Sequence, residues 1–185
     1  EELFLLQCGM MLLKKITQQQ HCGIEHSADG ALVKQLKAKL PFALTNDQKK
    51  VLREIKADME TEMPMQRLLQ GDVGSGKTII AMLLLVKTVE NGYQGALMVP
   101  TEILAQQHYN VFCEYLEPLK MKIGLLSSKL TKKERQEILI KLNEGTIDIV
   151  IGTHALIQKD VEFFKLGLAI TDEQHRFGVR QRADL

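Results

Sequence analysis

Cysteine is scarce: Cys8, Cys22 and Cys113 are the whole set, and no two of them form a C-x-x-C pair. An odd, widely spaced trio argues against a disulfide framework and against a zinc site, which suits a reducing cytoplasm. No apolar run is long enough to span a bilayer, since the N-terminal stretch Leu3 to Leu13 is short and interrupted by Gln7. That stretch follows Glu1-Glu2 rather than basic residues, so it does not read as a signal peptide. A dominant charge is missing as well: 24 basic and 23 acidic residues leave a net +1. Such a balance neither demands nor excludes a polyanionic partner, because one face can be basic while the total stays near zero. There is no internal repeat and no low-complexity tract. The chain does not begin with methionine, and it reads as a piece of a longer protein.

What is present is an ordinary globular composition, 45% apolar and 25% charged over 185 residues. That is enough for one α/β domain with a good core plus a short extension. The most informative stretch is Gly71-Asp72-Val73-Gly74-Ser75-Gly76-Lys77-Thr78, which fits G-x-x-x-x-G-K-[ST]. Gly71, Gly74 and Gly76 let the backbone curl so that its N–H groups point inward at phosphate oxygens. Lys77 adds a point charge near the β/γ-phosphates, and the Thr78 hydroxyl can ligate magnesium. The loop opens a helix, whose orphan N–H groups and macrodipole already favour an anion. A short strand before it (Gln66 to Gln70) and an apolar helix after it place the motif in the right order. The chain is expected to bind a nucleoside triphosphate.

Around this loop, helices and strands alternate. Residues 1 to about 20 are expected to be helical, with Leu3, Phe4, Leu6, Met10 and Leu13 near one face. Residues 21 to 30 lack periodicity and read as a flexible linker. In it, His21, Cys22 and His26 are expected to be solvated, because a fourth metal ligand is missing. A short amphipathic segment covers Ala31 to Leu40. Thr45 and Gln48 are spaced as a capping box for a helix carrying Val51, Leu52, Ile55 and Met59. Further helices are expected over Lys77 to Glu90, from Pro100-Thr101-Glu102 to about Leu116, and over Lys132 to Leu142 behind the capping box Thr131…Glu134. Strands are expected at Gly95 to Val99, Met121 to Leu126, Ile147 to Ile151 and Gly167 to Thr171. Near-continuous apolar strands alternating with helices mean a mainly parallel sheet covered on both faces.

The last of these strands delivers Asp172-Glu173-Gln174-His175 at its C-terminal end, the end at which a parallel sheet holds its ligand crevice. An Asp there can hold magnesium through water, and an adjacent Glu can orient or deprotonate an attacking water.

Gly-Ser-Gly-Lys-Thr followed by Asp-Glu-Gln-His resembles motifs I and II of superfamily 2 helicases of the DExH type. The resemblance extends to Leu40 through Gln48, Leu69 through Thr78, Pro100 through His108, Gly152 through Leu156 and Asp172 through Val179. Within that superfamily the pattern is most similar to bacterial ATP-dependent helicases that remodel branched DNA. Transcription-repair coupling factors share much of it. The resemblance implies a RecA-like P-loop NTPase lobe over residues 40–185, truncated after motif II. Residues 1–39 would be the N-terminal helix and linker that follow a wedge domain absent from this chain. Phe42, Leu44 and Gln48 would read adenine, a task that suits an amide because it donates and accepts. Gly71, Asp72, Val73, Gly74, Ser75, Gly76, Lys77 and Thr78 would hold ATP, with Thr78 and Asp172 on Mg2+. Glu173 would activate water, with Lys77, Asp172 and His175 completing the catalytic set and His175 linking nucleotide state to DNA. Thr101, Glu102, Thr153 and His154 would face the DNA backbone.

The implied partners are branched DNA (forks, Holliday junctions) and a second RecA-like lobe and wedge domain of the same chain, acting as a monomer in the bacterial cytoplasm with no membrane. Arginine fingers from a second lobe are worth roughly 10³–10⁵ in rate in related systems, so residues 1–185 alone are expected to hydrolyse ATP very slowly. Two other classes stay open on the residues themselves. One is a P-loop NTPase acting on a small molecule or another protein; the other is a non-catalytic scaffold lobe.

Overall fold

A computed structural model describes residues 4, 5, 7–9, 11 and 23–173. The chain packs as two compact units: the described parts of 1–28 and 44–73 form one, and those of 29–43 and 74–185 the other. Residues 4, 5, 7–9 and 11 are helical. Gln174, His175 and the arginines after them lie outside the described residues, as do His21 and Cys22.

The second unit holds the sheet. Its strands are β1 (Gln94–Met98), β2 (Ile123–Leu126), β3 (Ile149–Gly152) and β4 (Leu166–Thr171), all parallel, in the order β2-β3-β1-β4. Its helices are α1 (Ala31–Lys39), α3 (Lys77–Glu90), α4 (Glu102–Leu116) and α5 (Lys132–Asn143), while α2 (Asn46–Met59) belongs to the first unit. The alternating side chains of β1 settle which helix lies on which face. Ala96 and Met98 pack in a cluster with Leu126, Leu142, Val150 and Leu156 on the α5 side. A Cβ on Gly95, one residue earlier, would instead strike Leu85 of α3, so α3 covers the opposite face. Each fully buried Leu, Ile or Met in these layers contributes about 1.5–3 kcal/mol relative to exposure.

Local sequence explains the helix bounds. At α2, Thr45 Oγ1 accepts from Gln48 N and Gln48 Oε1 accepts from Thr45 N, at 3.2 and 2.9 Å. Thr131 and Glu134 repeat the same exchange at α5. The helix α3 is buried nearly all round, from Met82 to Thr88, as a helix between a sheet and another helix must be. It ends where Gly92 turns left-handed at φ 81°.

One buried residue breaks the apolar pattern of α3. Lys87 has no exposed side-chain surface, and its Nζ lies 3.8 Å from Asp29 Oδ1. The other oxygen of Asp29 takes Lys37 Nζ at 2.8 Å. One turn on, Glu90 accepts from Gly30 N (2.9 Å) and Leu32 N (2.6 Å), capping α1 from outside. A carboxylate there also suits the positive end of the helix dipole.

Two expectations are corrected. The segment Gln66 to Gln70 forms no strand: it carries only Leu68 and Leu69 between Arg67 and Gln70, Leu68 is exposed, and no ladder bonds reach it. Residues 23–30 are irregular yet not loose. Gly23 N donates to Glu62 O and His26 N to Met59 O, and His26 is 3% exposed rather than solvated, with Nδ1 3.0 Å from Ile24 O. Backbone bonds to the end of α2 draw that histidine inward. Among the described residues, no helix is long and apolar enough to cross a membrane.

Candidate nucleotide and nucleic-acid site

The glycine-rich loop crosses from the first unit to the second between Val73 and Gly74. It is exposed along Gly71 to Ser75. Gly74 (φ 82°) and Gly76 (φ 85°) occupy left-handed conformations that cost a side chain energy. Gly76 is the N-cap of α3, and no side chain caps this helix. Its first turn closes on Gly76 O, which accepts from Ile79 N and Ile80 N, so Lys77 and Thr78 stand at an N-terminus open to an anion. Phe42 is exposed and Leu44 half-buried; Gln48 is half-buried, its amide oxygen engaged by Thr45 N.

Strand β4 delivers Asp172 at the C-terminal edge of the sheet. Its backbone N–H donates to Met98 O at 2.8 Å, which extends the β1–β4 ladder by one residue. The side chain is held at both oxygens: Oδ1 accepts from Glu173 N at 2.9 Å, and Oδ2 lies 3.3 Å from His108 Nε2. The His108 imidazole against Oδ2 is the main reason the Asp172 carboxyl sits below its ordinary range. Burial opposes the shift, while Glu173 N–H and the charge of Lys77 add to it. Lys77 and Asp172 thus share one electrostatic neighbourhood. Glu173 follows at φ 47°, a left-handed backbone that costs a non-glycine residue roughly 1–2 kcal/mol.

Among the described residues, no three His, Cys, Asp or Glu side chains cluster as a metal cage. A site with one carboxylate, one hydroxyl and an adjacent phosphate cradle is what a hard, strongly hydrated cation such as magnesium takes; structural zinc would need its own full ligand set.

The four residues expected on the DNA side behave differently from one another. Thr101 is the N-cap of α4, its Oγ1 accepting from Leu104 N at 3.3 Å. Glu102 Oε1 accepts from Ser128 N at 2.8 Å and lies 3.3 Å from Thr153 Oγ1. Thr153 is 2% exposed, so its hydroxyl serves Glu102, and His154 is the exposed member. Glu102 therefore ties together the loops that leave β1, β2 and β3. Gly152 lets that junction close, since a Cβ there would stand 2.5 Å from Leu126 O.

Burial pushes the Glu102 carboxyl up, but the bonds from Ser128, Ser127 and Thr153 outweigh it and the net shift is down. A depressed carboxyl stabilises the fold above its unfolded value near 4.5 and loses that contribution as pH falls through the folded one. Glu102→Gln is therefore expected to melt below the native protein at pH 7. The gap should narrow as pH drops below 4.5, as read by thermal melts across pH; a constant gap would contradict the ionised network.

Sequence reasoning passed over His108 and Lys87. His108 lies inside the stretch Pro100 to His108 without a role of its own. A lysine among the apolar residues of α3 was a legible warning of a buried partner.

The DEAD/DEAH box helicase family model matches residues 45–185. The chain is 50% identical over 185 residues to the ATP-dependent DNA helicase RecG of Thermotoga maritima, covering all of this chain and 24% of that protein. It is 50% identical over 185 residues to RecG of Bacillus subtilis, covering all of this chain and 27% of that protein. It thus spans about a quarter of these relatives' length. Among solved structures, one of RecG bound to a three-way DNA junction superposes with a TM-score of 0.88 at 48% identity, over 96% of this chain and 24% of that one. The UvsW helicase from bacteriophage T4 shares the fold, with a TM-score of 0.62 at 19% identity over 86% of this chain and 56% of that one.

Proposed function

This chain belongs to the DEAD/DEAH box helicase family, and on that premise we propose that it is the ATP-binding lobe of a helicase that remodels branched DNA. One observation carries the assignment of the site: Gly76 turns left-handed to open α3 at an N-terminus that no side chain caps, with Lys77 and Thr78 in its first turn, while β4 sets Asp172 at the C-terminal end of the same sheet. Lys77 and the N–H groups behind it bind the phosphates. Thr78 and Asp172 hold Mg2+, which when bound neutralises charge on the phosphates. Glu173 orients and deprotonates the attacking water, and Phe42, Leu44 and Gln48 receive the adenine. His175 relays the nucleotide state toward DNA. Thr101, Glu102, Thr153 and His154 build the strand-end surface toward the DNA backbone, Glu102 and Thr153 by holding the loops and His154 by contact. A second RecA-like lobe and a wedge domain in the complete protein supply the remaining groups, and it acts as a cytoplasmic monomer.

Similarity to RecG over the whole chain, and to the RecG structure with a three-way junction, supports branched DNA as the substrate. The test is steady-state ATPase of the complete protein on forked and on linear duplex DNA. Branched DNA is expected to stimulate turnover about tenfold more than linear, a preference of roughly 1.4 kcal/mol. Turnover indifferent to DNA would overturn the motor reading in favour of a P-loop NTPase with another substrate.

A further inference from the structure

We infer that His108 is a positioning residue for Asp172: its imidazole fixes the orientation in which that carboxylate meets a divalent cation. The inference rests on the role proposed above for Asp172 and adds a residue that the glycine-rich and acidic motifs do not contain.

The backbone of Asp172 is already fixed, because its N–H belongs to the sheet ladder with Met98 O. Two side-chain torsions remain. The bond from Glu173 N to Oδ1 fixes one oxygen from the chain's own backbone and leaves the other to be placed. His108 Nε2, 3.3 Å from Oδ2, comes from a different element. It is the contact that ties the carboxylate to the body of the fold.

The imidazole is itself well held. Ala105, His108, Phe112 and Leu116 fall at spacings of three and four along α4, on one face of the helix. Ala105, Phe112 and Leu116 are fully buried, and the His108 side chain is 13% exposed. A polar ring on a buried stripe needs a partner, and among the described residues His108 meets Asp172. Each carboxylate oxygen accepts more than one hydrogen bond, so this pinning leaves capacity for a cation or its water. An ordinary stabilising pair would share this geometry, so the test must read the metal and not the fold.

The probe is a fluorescent ADP analogue titrated onto the complete protein with increasing magnesium, without turnover. For His108→Ala, half-maximal magnesium enhancement is expected to need about tenfold more cation, in the range seen when a ligand loses its outer partner. Affinity for the analogue without magnesium should not move. His108→Gln places an amide N–H at similar reach and should recover to within about threefold of native. Should the Ala variant unfold, His108→Phe keeps the ring volume without the N–H and carries the same comparison. Equal shifts for Ala (or Phe) and Gln, or no shift in either, overturn the inference. Asp172→Asn separates the two levels. If it abolishes the magnesium response while the His108 variants are silent, the positioning role alone falls. If it leaves the response intact, the metal role of Asp172 falls too.

Discussion

Glu173→Gln is expected to slow ATP turnover by about 10²–10⁴-fold, the range a general base contributes, while nucleotide still binds. The amide keeps the shape and hydrogen-bonding reach of the carboxylate but cannot take a proton from water. The backbone around it supports a dedicated role. Glu173 sits at φ 47° directly after Asp172, a conformation maintained against its own cost at the end of a strand fixed by the ladder to β1. Strain of this kind clusters where geometry serves chemistry. Lys77→Ala provides the contrast, because removing the ammonium proposed to meet the phosphates at the start of α3 should weaken binding itself. Single-turnover hydrolysis with a parallel fluorescent-nucleotide titration separates the two. A Glu173→Gln protein that turns over within threefold of native would remove Glu173 from the water-activating role.

Gln94→Leu is expected to destabilise the fold by about 2–6 kcal/mol, because Ile147 O and Lys165 N each lose their side-chain partner at about 1–3 kcal/mol, while Leu142 O keeps the bond from Gly145 N. Gln94 is 4% exposed. Its Nε2 donates to Leu142 O at 2.9 Å and to Ile147 O at 2.7 Å, and its Oε1 accepts from Lys165 N at 3.1 Å. One amide thereby joins the end of α5, the approach to β3 and the entry to β4. Leucine fills the same space without donors or acceptor, so the loss is polar and not a cavity. Gln94→Glu keeps the acceptor but offers Leu142 O and Ile147 O a negative oxygen in place of two N–H donors, and should be worse. For a chain of this size the Leu variant should melt roughly 4–24 °C below native. Calorimetry showing a loss under 1 kcal/mol would mean the sheet reorganises to satisfy these groups by itself.

Where the sequence was informative, the reason was local. Thr45 with Gln48 and Thr131 with Glu134 stand three residues apart, so the spacing alone announces a capping box, and both exchanges are present. Helix α3 follows from its apolar run between Gly76 and Gly92, and the parallel sheet from alternating strands and helices. What escaped was long-range. His108 meets Asp172, Glu102 meets Ser128 and Thr153, and Lys87 meets Asp29 only after the chain has folded back on itself. The resemblance placed Glu102 on the DNA side, and only the fold shows that its carboxylate accepts from Ser128 N and Thr153 Oγ1. Leu68-Leu69 looked strand-like by composition, but a strand exists only where a neighbour supplies its ladder.

The Lys87–Asp29 and Glu90–Gly30 contacts bear on where this protein can be cut. Asp29 to Lys39 reads in sequence like a dispensable lead-in, but its acidic residue is the counter-charge of a lysine sealed inside the phosphate-loop helix. A version starting at Leu40 would take the Asp29 carboxylate away from that ammonium and leave the Glu90 carboxylate without the Gly30 and Leu32 N–H groups it caps. Removing one member of a buried pair is strongly destabilising, typically about 3–5 kcal/mol. The smallest soluble preparation of the nucleotide lobe should therefore begin upstream of Asp29.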